Sequence, residues 1–455
     1  MHKRQWIAAT AIVLVSTSSF AQSPDPTPVL SPPPNIIIPN YNGIPTGPLG
    51  GLEGSAHVAR TADTSAPWFN PAGLSQAGTQ LSGSVGNYQF TTVTPARLPN
   101  TGGSTQHLPN LVGATAKFKG FTVGFSLVTV ISWSTGLDSV YTLTNANGNP
   151  ERFTYSADSG ISQSVQAVAI GRDLGKKWRL GLGVAITQTS MHSDQVISDR
   201  IATPQANRTL LFSSRAGGSI DAIRFTIGAQ FQPTPWLRFG LVSRNPGLRF
   251  GSQGTVGVDS TLDGGGPSVG ATVYDSAASF EFKMPYELAG GIALIGKRAE
   301  FEVDVKGYAS VPSYTLLSTS QPLTIYRDPG NNAGGSIETR PFPAITTQFT
   351  AVTNYTGGGH VRILDSPFPL TVHAGIGTDH SPVPMQDAAV FGHADFNVYT
   401  AGISGSVGKF TFAFGVNSRR GDAENLVLQN LITGPVQASL QIKTIGITYA
   451  LNYKF

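Results

Sequence analysis

Three consecutive residues, Asp379, His380 and Ser381, are of the types that form a hydrolytic triad. Because neighbouring residues of a strand point to opposite sides, these three side chains cannot meet in one site. The HExxH zinc motif and the phosphate-binding P-loop are absent, and the lack of cysteine excludes thiolate metal sites. The sequence therefore predicts a protein that is not an enzyme and uses no cofactor, with a lipase or protease as an open alternative.

Two arginines are the best candidates for binding a ligand carboxylate. Arg224 and Arg238 stand in alternating segments without an obvious acidic partner, and a guanidinium can hold a carboxylate through two parallel hydrogen bonds. Other inward-facing charges would compensate one another across neighbouring strands. We expect them to form salt bridges that hold an internal segment; they are Glu281, Lys283, Glu287, Glu302, Asp304, Lys306 and His373.

The elements that position these side chains are predicted by an alternation of period two. From 444 to 455 every odd position is apolar or aromatic and every even position is small or polar, and the pattern recurs at 178 to 187, 368 to 377 and 410 to 417. This is the period of a β-strand. The second face carries mostly Gly, Ala, Ser and Thr instead of the charges that a soluble sandwich turns to water, which favours a closed barrel with a lumen.

Fourteen such segments can be counted, and the connections between them alternate in length. Tight turns are predicted near 119–120, 173–176, 232–234, 296–297, 365–367 and 408, and long loops separate the other pairs. Outer-membrane barrels show this asymmetry. Trp178 and Trp236 follow tight turns, and Trp133 precedes a long loop. These positions correspond to the two aromatic girdles, one at each membrane interface. The predicted strands span 77–90, 110–118, 121–133, 161–172, 177–190, 218–231, 235–250, 278–294, 298–309, 344–363, 368–380, 394–407, 409–420 and 439–455.

The amino-terminal region and the composition agree with export to a membrane. Residues 1–21 combine a basic start, an apolar stretch and a small-x-small site, as a secretory signal peptide does. Residues 22–46 form a Pro-rich extension that cannot enter a central sheet, because proline lacks the N–H of the ladder. Charged residues make up only 12% of the chain and the net charge is +4, which is too small to suggest nucleic-acid binding.

Residues 50 to 75, with the sequence GGLEGSAHVARTADTSAPWFNPAGLS, resemble the amino-terminal hatch of the FadL/TodX family of outer-membrane transporters for hydrophobic compounds. A stretch of small residues leads to Ala62-Asp63 and then to an Asn-Pro-Ala tripeptide. Stretches at 235–250, 283–311 and 368–384 are also similar to the family and extend the resemblance over most of the mature chain.

The resemblance implies an all-β, transmembrane antiparallel barrel of about fourteen strands at 77–455, closed by a lumenal hatch at 47–76. It implies a monomer in the outer membrane of a Gram-negative cell, in contact with outer-membrane lipid and with the barrel assembly machinery, which reads a terminal aromatic such as Phe455. The cargo would be a long-chain fatty acid or another hydrophobic small molecule, caught at outer loops and released through a side opening in the wall. The hatch residues are Trp68, Phe69, Asn70, Pro71 and Ala72.

Apolar clusters in the predicted long loops are candidates for first capture of the cargo, or equally for packing of the loops themselves. They contain Tyr141, Phe153, Leu210, Leu211 and Phe212.

The side opening of the family lies where its third strand kinks. The third predicted strand, 121–133, contains Gly124 on its lumenal face, and a glycine there weakens the ladder and often marks a bend. We therefore expect the break within 121–133, with Gly124 as the candidate. The alternative is that Gly124 only makes room for a bulky neighbour.

Two other functions fit the same fold. A general diffusion porin would show large, steady ion conductance. A structural or adhesive barrel without transport is favoured only by the Pro-rich extension.

Overall fold

The computed structural model describes residues 37–42, 46–95, 102–108, 110–144, 150–203, 206–264, 267–330, 334–365, 368–385, 391–430 and 434–455. The predicted signal peptide, 1–21, and most of the Pro-rich extension, 22–46, lie outside these residues. Among the residues described, no helix has the length and apolar character needed to cross a membrane.

Strands account for most of the described chain, and the helical elements are short. The helical elements are a 3-10 turn at Gly50–Leu52, α1 (Ala66–Phe69), a 3-10 turn at Pro71–Gly73 and α2 (Leu74–Ala77). The strands are β1 (Gln80–Pro95), β2 (Gly102–Leu108), β3 (Leu111–Phe118), β4 (Phe121–Thr144), β5 (Pro150–Leu174), β6 (Trp178–Thr203), β7 (Ala206–Thr234), β8 (Leu237–Arg244), β9 (Leu248–Asp263), β10 (Ser268–Phe280), β11 (Glu287–Ile295), β12 (Ala299–Tyr308), β13 (Val311–Ser318), β14 (Pro322–Asp328), β15 (Ser336–Pro341), β16 (Ile345–Phe349), β17 (Val352–Leu364), β18 (Leu370–Asp379), β19 (His393–Val407), β20 (Phe410–Asn430) and β21 (Gly434–Lys454).

These strands form one closed antiparallel barrel. The last strand pairs with the first, from Gln80 opposite Lys454 to Pro95 opposite Leu440, so the described wall closes on itself. Several wall positions consist of two consecutive strands; β8 and β9, for example, both pair with β7. Counted in this way the barrel has fourteen positions, which confirms the predicted fold class.

The predicted alternation sets the two faces of the wall. On β6, the apolar side chains from Trp178 to Ile186 are exposed, while Ala185 and Thr187 on the other face are buried. From Gln188 onward the exposed face of β6 becomes polar. The exposed apolar band is therefore about nine residues tall, which is the length a strand needs to cross a bilayer.

Tight turns lie at or near five of the predicted positions, and the sixth, 365–367, lies partly outside the described residues. The strands that border the predicted long loops 134–160 and 191–217 are longer than predicted. β4 and β5 continue to Thr144 and Pro150, and β6 and β7 continue to Thr203 and Ala206. The strands go on because their inner face stays buried, whereas their outer face has become polar beyond the apolar band. We call this extension of β4–β7 the outer collar; its described residues lie within 136–144, 150–160, 190–203 and 206–218.

Three predicted strands are each split in the structure. The segment 344–363 becomes β16 and β17, and the other two split strands lie side by side in the wall. The segment 235–250 becomes β8 and β9, because Pro246 cannot donate to the ladder and Gly247 has a φ of 103°. The segment 278–294 becomes β10 and β11, which are separated by 281–286, a stretch that contains Pro285. The wall is thus interrupted at two neighbouring positions.

Candidate functional site

The Asn-Pro-Ala turn of the hatch packs against the inner face of the barrel. Asn70 accepts a hydrogen bond from the backbone N–H of Ala72 (3.1 Å) and donates to the carbonyl oxygens of Val58 (2.8 Å) and Ala229 on β7 (3.2 Å). Its side chain therefore caps the Pro71–Gly73 turn and also fixes that turn to the wall.

Glycines on the inner face make room for this turn. A Cβ added to Gly181 would lie 2.1 Å from the carbonyl carbon of Pro71, and one added to Gly228 would lie 2.1 Å from Oδ1 of Asn70. Both distances are far below van der Waals contact. The small residues that suggested a lumen are therefore in contact with the hatch segment.

Trp68 and Phe69 are held by an arginine that the sequence analysis missed. Arg244 on β8 lies over the Trp68 ring, 4.2 Å from its centroid, and donates to the carbonyl oxygens of Trp68 and Phe69. It also forms a buried salt bridge with Glu287 on β11. No sequence signal links positions 68, 244 and 287, because the contact depends on how the barrel brings distant strands to the hatch.

A second group of charges ties the hatch to β12. Arg60 pairs with Glu302 (Nε to Oε2, 2.9 Å) and with Glu53, while Asp304 accepts a hydrogen bond from the N–H of His57 (2.8 Å). Lys306 donates to the carbonyl oxygen of Ser55 (3.2 Å). We call Glu53, Arg60, Glu302, Asp304 and Lys306 the hatch anchor.

The hatch anchor is the compensating network that the sequence predicts around Glu302, Asp304 and Lys306. Lys283 does not belong to it, because its ammonium lies 3.7 Å from Glu281 on the interruption between β10 and β11. Glu287 pairs with Arg244 instead.

Glu53 of the hatch anchor also meets two histidines. Its Oε1 accepts from Nδ1 of His360 on β17 (2.9 Å) and from Nδ1 of His373 on β18 (2.7 Å). Burial opposes ionisation of Glu53, but these hydrogen bonds and the charge of Arg60 outweigh it and hold the pKa of Glu53 well below its usual value.

A small cavity of about 50 Å³ lies between the hatch and the wall. Apolar and aromatic side chains share its lining with three cations and one carboxylate. Its lining includes Trp68, Phe69, Val130, Ile131, Met284, Arg224, Arg244, Lys306 and Glu287.

The wall beside this cavity is irregular on β4. The β4–β5 register shifts between Thr129 and Ile131, so that Val130 is a bulge. On the other side of β4, the pairs with β3 end at Leu111–Val128, and the next recorded ladder pair is Gly103–Gly136 with β2. A bulge at Val130 therefore lies within 121–133, the segment in which the break is expected.

Gly124 is not the break. Its register with both neighbouring strands is regular, and an added Cβ would lie 2.5 Å from Leu74 and 2.9 Å from Pro67 of the hatch. The alternative interpretation, that Gly124 makes room for bulky neighbours, describes the contacts. The girdle position of Trp133 is also wrong, because the extra residue at Val130 reverses the faces and Trp133 is buried.

The two candidate arginines are separated in the structure. Arg224 is fully buried, lines the cavity, and donates to the carbonyl oxygens of Asn245 (2.9 Å) and Pro285 (3.3 Å), which lie at the two wall interruptions. Arg238 instead donates to Gln232 (3.2 Å) near the tight turn. The structure thus brings only Arg224 to the cavity.

The candidate capture residues lie on strands of the outer collar, not in loops. Phe153, Leu210 and Phe212 are buried in its apolar core, whereas Leu211 is exposed because it points to the opposite face of β7. The backbone of Tyr141 pairs with Phe153, and its side chain lies outside the described part of the chain.

A buried carboxyl pair in the outer collar escaped the sequence analysis. Glu151 on β5 and Asp199 on β6 stand one inward position apart on paired strands, and both are buried. Burial and the neighbouring Glu151 raise the pKa of Asp199 to about 7. Asp199 lies beyond the exposed apolar band of β6.

The hydrolase-type residues do not form a catalytic constellation. Asp379 pairs with Arg419, the ring of His380 meets the carbonyl oxygen of Thr353, and Ser381 donates its N–H to Asp395. The sequence also contains one G-x-S-x-G spacing, at 266–270, but its Ser268 begins β10 and no helix follows it as in a nucleophile elbow.

Comparison with known proteins identifies the architecture. No family model matches the sequence, and no curated protein matches it significantly. Among solved structures, the Pseudomonas aeruginosa FadL homologue has a TM-score of 0.58 at 14% identity, covering 93% of this chain and 100% of that one. The P. putida toluene transporter TodX has a TM-score of 0.57 at 14% identity, covering 91% and 99%. The Ralstonia pickettii toluene transporter TbuX has a TM-score of 0.52 at 13% identity, with the same coverage. The chain therefore has the fourteen-stranded barrel fold of the FadL homologues.

Proposed function

We propose that this protein is an outer-membrane channel that takes up hydrophobic small molecules into a Gram-negative cell, and that it is not an enzyme. The observation that carries the proposal is the cavity between Trp68, Phe69 and the Val130 bulge, because it joins an aromatic lining to an irregular stretch of the wall. The solved structures with the same fold include two toluene transporters, which supports the same cargo class.

The proposed path begins in the apolar core of the outer collar, where Phe153, Leu210 and Phe212 lie. It continues to the cavity above the hatch and leaves sideways at the β4 interruption. Burial of apolar cargo along this path is favourable by about 25 cal/mol per Å². The hatch, 47–76, blocks the straight route to the periplasm, so that an apolar molecule need not cross water.

The charges of the cavity favour an amphiphile with an anionic head. Arg224, Arg244 and Lys306 outnumber the single carboxylate of Glu287 in the lining. A long-chain fatty acid would place its carboxylate near these cations and its chain against Trp68 and the Val130 bulge. A neutral aromatic molecule would use the apolar part of the lining alone.

The cavity must widen to hold such cargo. Its volume is about 50 Å³, whereas small-molecule sites usually measure roughly 300 Å³ or more. Trp68 and Met284 are the large side chains of the lining whose rotation would open it. We propose that cargo entering from the outer collar displaces them.

A general porin and a non-transporting adhesive barrel are the competing functions. The contacts of the hatch with the inner face of the wall, at Asn70, Gly181 and Gly228, do not favour a wide aqueous pore. The proposed function also includes folding by the barrel assembly machinery, contact with outer-membrane lipid and a monomeric state.

The test is uptake by cells that lack their own hydrophobic-compound channels. Cells producing the protein should accumulate radiolabelled oleate or toluene faster than cells producing a variant in which Ala289→Phe places a ring in the cavity. A cargo identified by mass spectrometry in the purified protein would tell the acid from the aromatic compound. Equal uptake by both strains, at equal amounts of folded barrel, would contradict the proposal.

A further inference from the structure

Three potential metal ligands converge where the hatch meets β17 and β18. Glu53, His360 and His373 each offer one ligand atom, and these three atoms lie within 4.8 Å of one another. Oε1 of Glu53 is 2.9 Å from Nδ1 of His360 and 2.7 Å from Nδ1 of His373. His360 and His373 are direct cross-strand partners, and their rings are 5.3 Å apart. Ligands held about 2.1 Å from a zinc ion stand roughly 3.4 Å from each other, so small side-chain shifts would complete the geometry.

The surrounding groups orient these ligands as outer partners do in metal sites. Nε2 of His373 contacts Oγ of Ser404 at 2.8 Å. If a metal takes the place of the Nδ1 proton that Glu53 accepts, the imidazole proton moves to Nε2 and Ser404 accepts that N–H. Oε2 of Glu53 is held by Arg60, which leaves Oε1 aimed at the two histidines. Nη2 of Arg60 would remain on Oε2 when a metal is bound, whereas Nη1, which lies 3.4 Å from Nδ1 of His360, would have to move away from that ligand atom.

The backbone of Glu53 is also fixed in place. A Cβ on Gly358 would lie 2.0 Å from the carbonyl oxygen of Glu53, and one on Gly375 would lie 2.2 Å from its carbonyl carbon. These two glycines are cross-strand partners, one inward position from the histidine pair. The wall is thus recessed to admit the hatch backbone beside the histidines.

The local charge suits a cation. Within the hatch anchor, the carboxylates of Glu53, Glu302 and Asp304 are buried with only two cations, Arg60 and Lys306. A fourth carboxylate, Glu300, lies 3.7 Å from Arg60. Carboxylates therefore outnumber the cations around Glu53, which favours a divalent ion, and the side chain of His360, which is 24% exposed, leaves a route of access.

We propose that Glu53, His360 and His373 bind one divalent transition-metal ion of the zinc class, which joins the hatch to two strands of the wall. Two imidazoles and one carboxylate are a common ligand set for such ions. The ion would link three separate segments of the chain, and its removal would leave the hatch on its hydrogen bonds and salt bridges alone. The site shares Glu53 with the hatch anchor and is independent of the identity of the cargo.

The test is metal content of the intact barrel, purified in detergent without a polyhistidine tag. After treatment with EDTA, the protein is incubated with two equivalents of Zn²⁺, passed through a desalting column and analysed by plasma mass spectrometry. We expect about one zinc per chain in the wild type, and at least a tenfold loss of affinity in Glu53→Gln and His373→Gln. His380→Gln, which changes a half-buried histidine outside the site, should keep the wild-type value.

A second measurement separates ligation from incidental binding. Co²⁺ in place of zinc should give visible absorption bands typical of four or five nitrogen and oxygen ligands in the wild type and in His380→Gln, but not in His373→Gln. Heat-modifiable migration on gels confirms that each variant is a folded barrel. Equal zinc content in wild type and His373→Gln, both folded, would overturn the proposal and leave Glu53 as a purely ionic contact of the hatch.

Discussion

The side chain of Asn70 connects three separate parts of the chain. It joins the hatch turn, the backbone of Val58 and strand β7 through three hydrogen bonds. We expect Asn70→Ala to loosen the turn, since leaving buried partners unsatisfied costs about 1–3 kcal/mol each. Gly228→Ala should act in the same way by displacing Oδ1 of Asn70.

Single-channel recording in planar bilayers measures this effect as more frequent ion leakage. The matched control is Gly307→Ala in the wall, where an added Cβ would make an ordinary contact at 3.7 Å. If Gly228→Ala leaked no more than Gly307→Ala, the turn would not contribute to closure.

The buried carboxyl pair in the outer collar predicts a dependence of stability on pH. Because the pKa of Asp199 is raised to about 7, the folded state retains a proton that the unfolded state releases near pH 4. Stability is therefore lost as pH rises from about 4 to 7. Asp199→Asn should remove this loss, on the order of 1–2 kcal/mol after allowance for solvent screening.

Hydrogen–deuterium exchange of the collar ends of β5 and β6, corrected for the intrinsic rate, measures the change. We expect slower exchange of Asp199→Asn than of wild type at pH 8 and no difference at pH 4. Asp158→Asn, at an exposed position of the same hairpin, should match the wild type at both pH values. If Asp199→Asn slowed exchange equally at pH 4 and pH 8, ionisation of Asp199 would not be the cause of the slower exchange.

At the scale of elements, β4 is the strand on which the proposed release depends. Deletion of Val130 removes the extra residue, so that β4 can pair in one continuous register with β5. We expect the variant to fold as a barrel, with Trp133 returned to the outer face, and to lose uptake of hydrophobic cargo. Val130→Ala keeps the residue count and should retain most uptake. Full uptake after the deletion would place the exit elsewhere.

The interruptions on the neighbouring wall strands are bridged by Arg224. Its guanidinium satisfies the carbonyl oxygens of Asn245 and Pro285. We expect Arg224→Met to leave both oxygens without this donor and to destabilise the barrel by roughly 2–4 kcal/mol. Urea unfolding in detergent measures the loss. Arg215→Met, at an exposed ion pair of the collar, should cost less than about 1 kcal/mol.

For the whole molecule, the period of two and the tight turns were sufficient to predict a fourteen-position barrel. Both signals are local, because the alternation within each strand shows which of its faces is buried and each tight turn is set by its own few residues. The bulge at Val130 could not be predicted, since a run of apolar residues fits either register. For the same reason the orientation of Trp133 was wrong.

The candidate site could be predicted only where its signal was local. The Asn-Pro-Ala turn carries its own capping geometry in the sequence. The contacts of Arg244 with Trp68 and Glu287, and of Glu53 with the histidines, depend on how a closed wall surrounds the hatch. Such long-range contacts have no signature in a single sequence.

The outer collar raises the first apolar surface of the protein far from the bilayer. From Gln188 to Thr203, β6 advances at roughly 3.3 Å per residue, which at a tilt of about 40° is a rise of nearly 40 Å. In the proposed orientation, a hydrophobic molecule would leave water at the outer end of the collar, at or above the saccharide layer of the membrane surface. Collision with the outer end of the collar, instead of slow diffusion between sugar chains, would then set the rate of capture. The same end of the protein would be the part that antibodies and bacteriophages contact first.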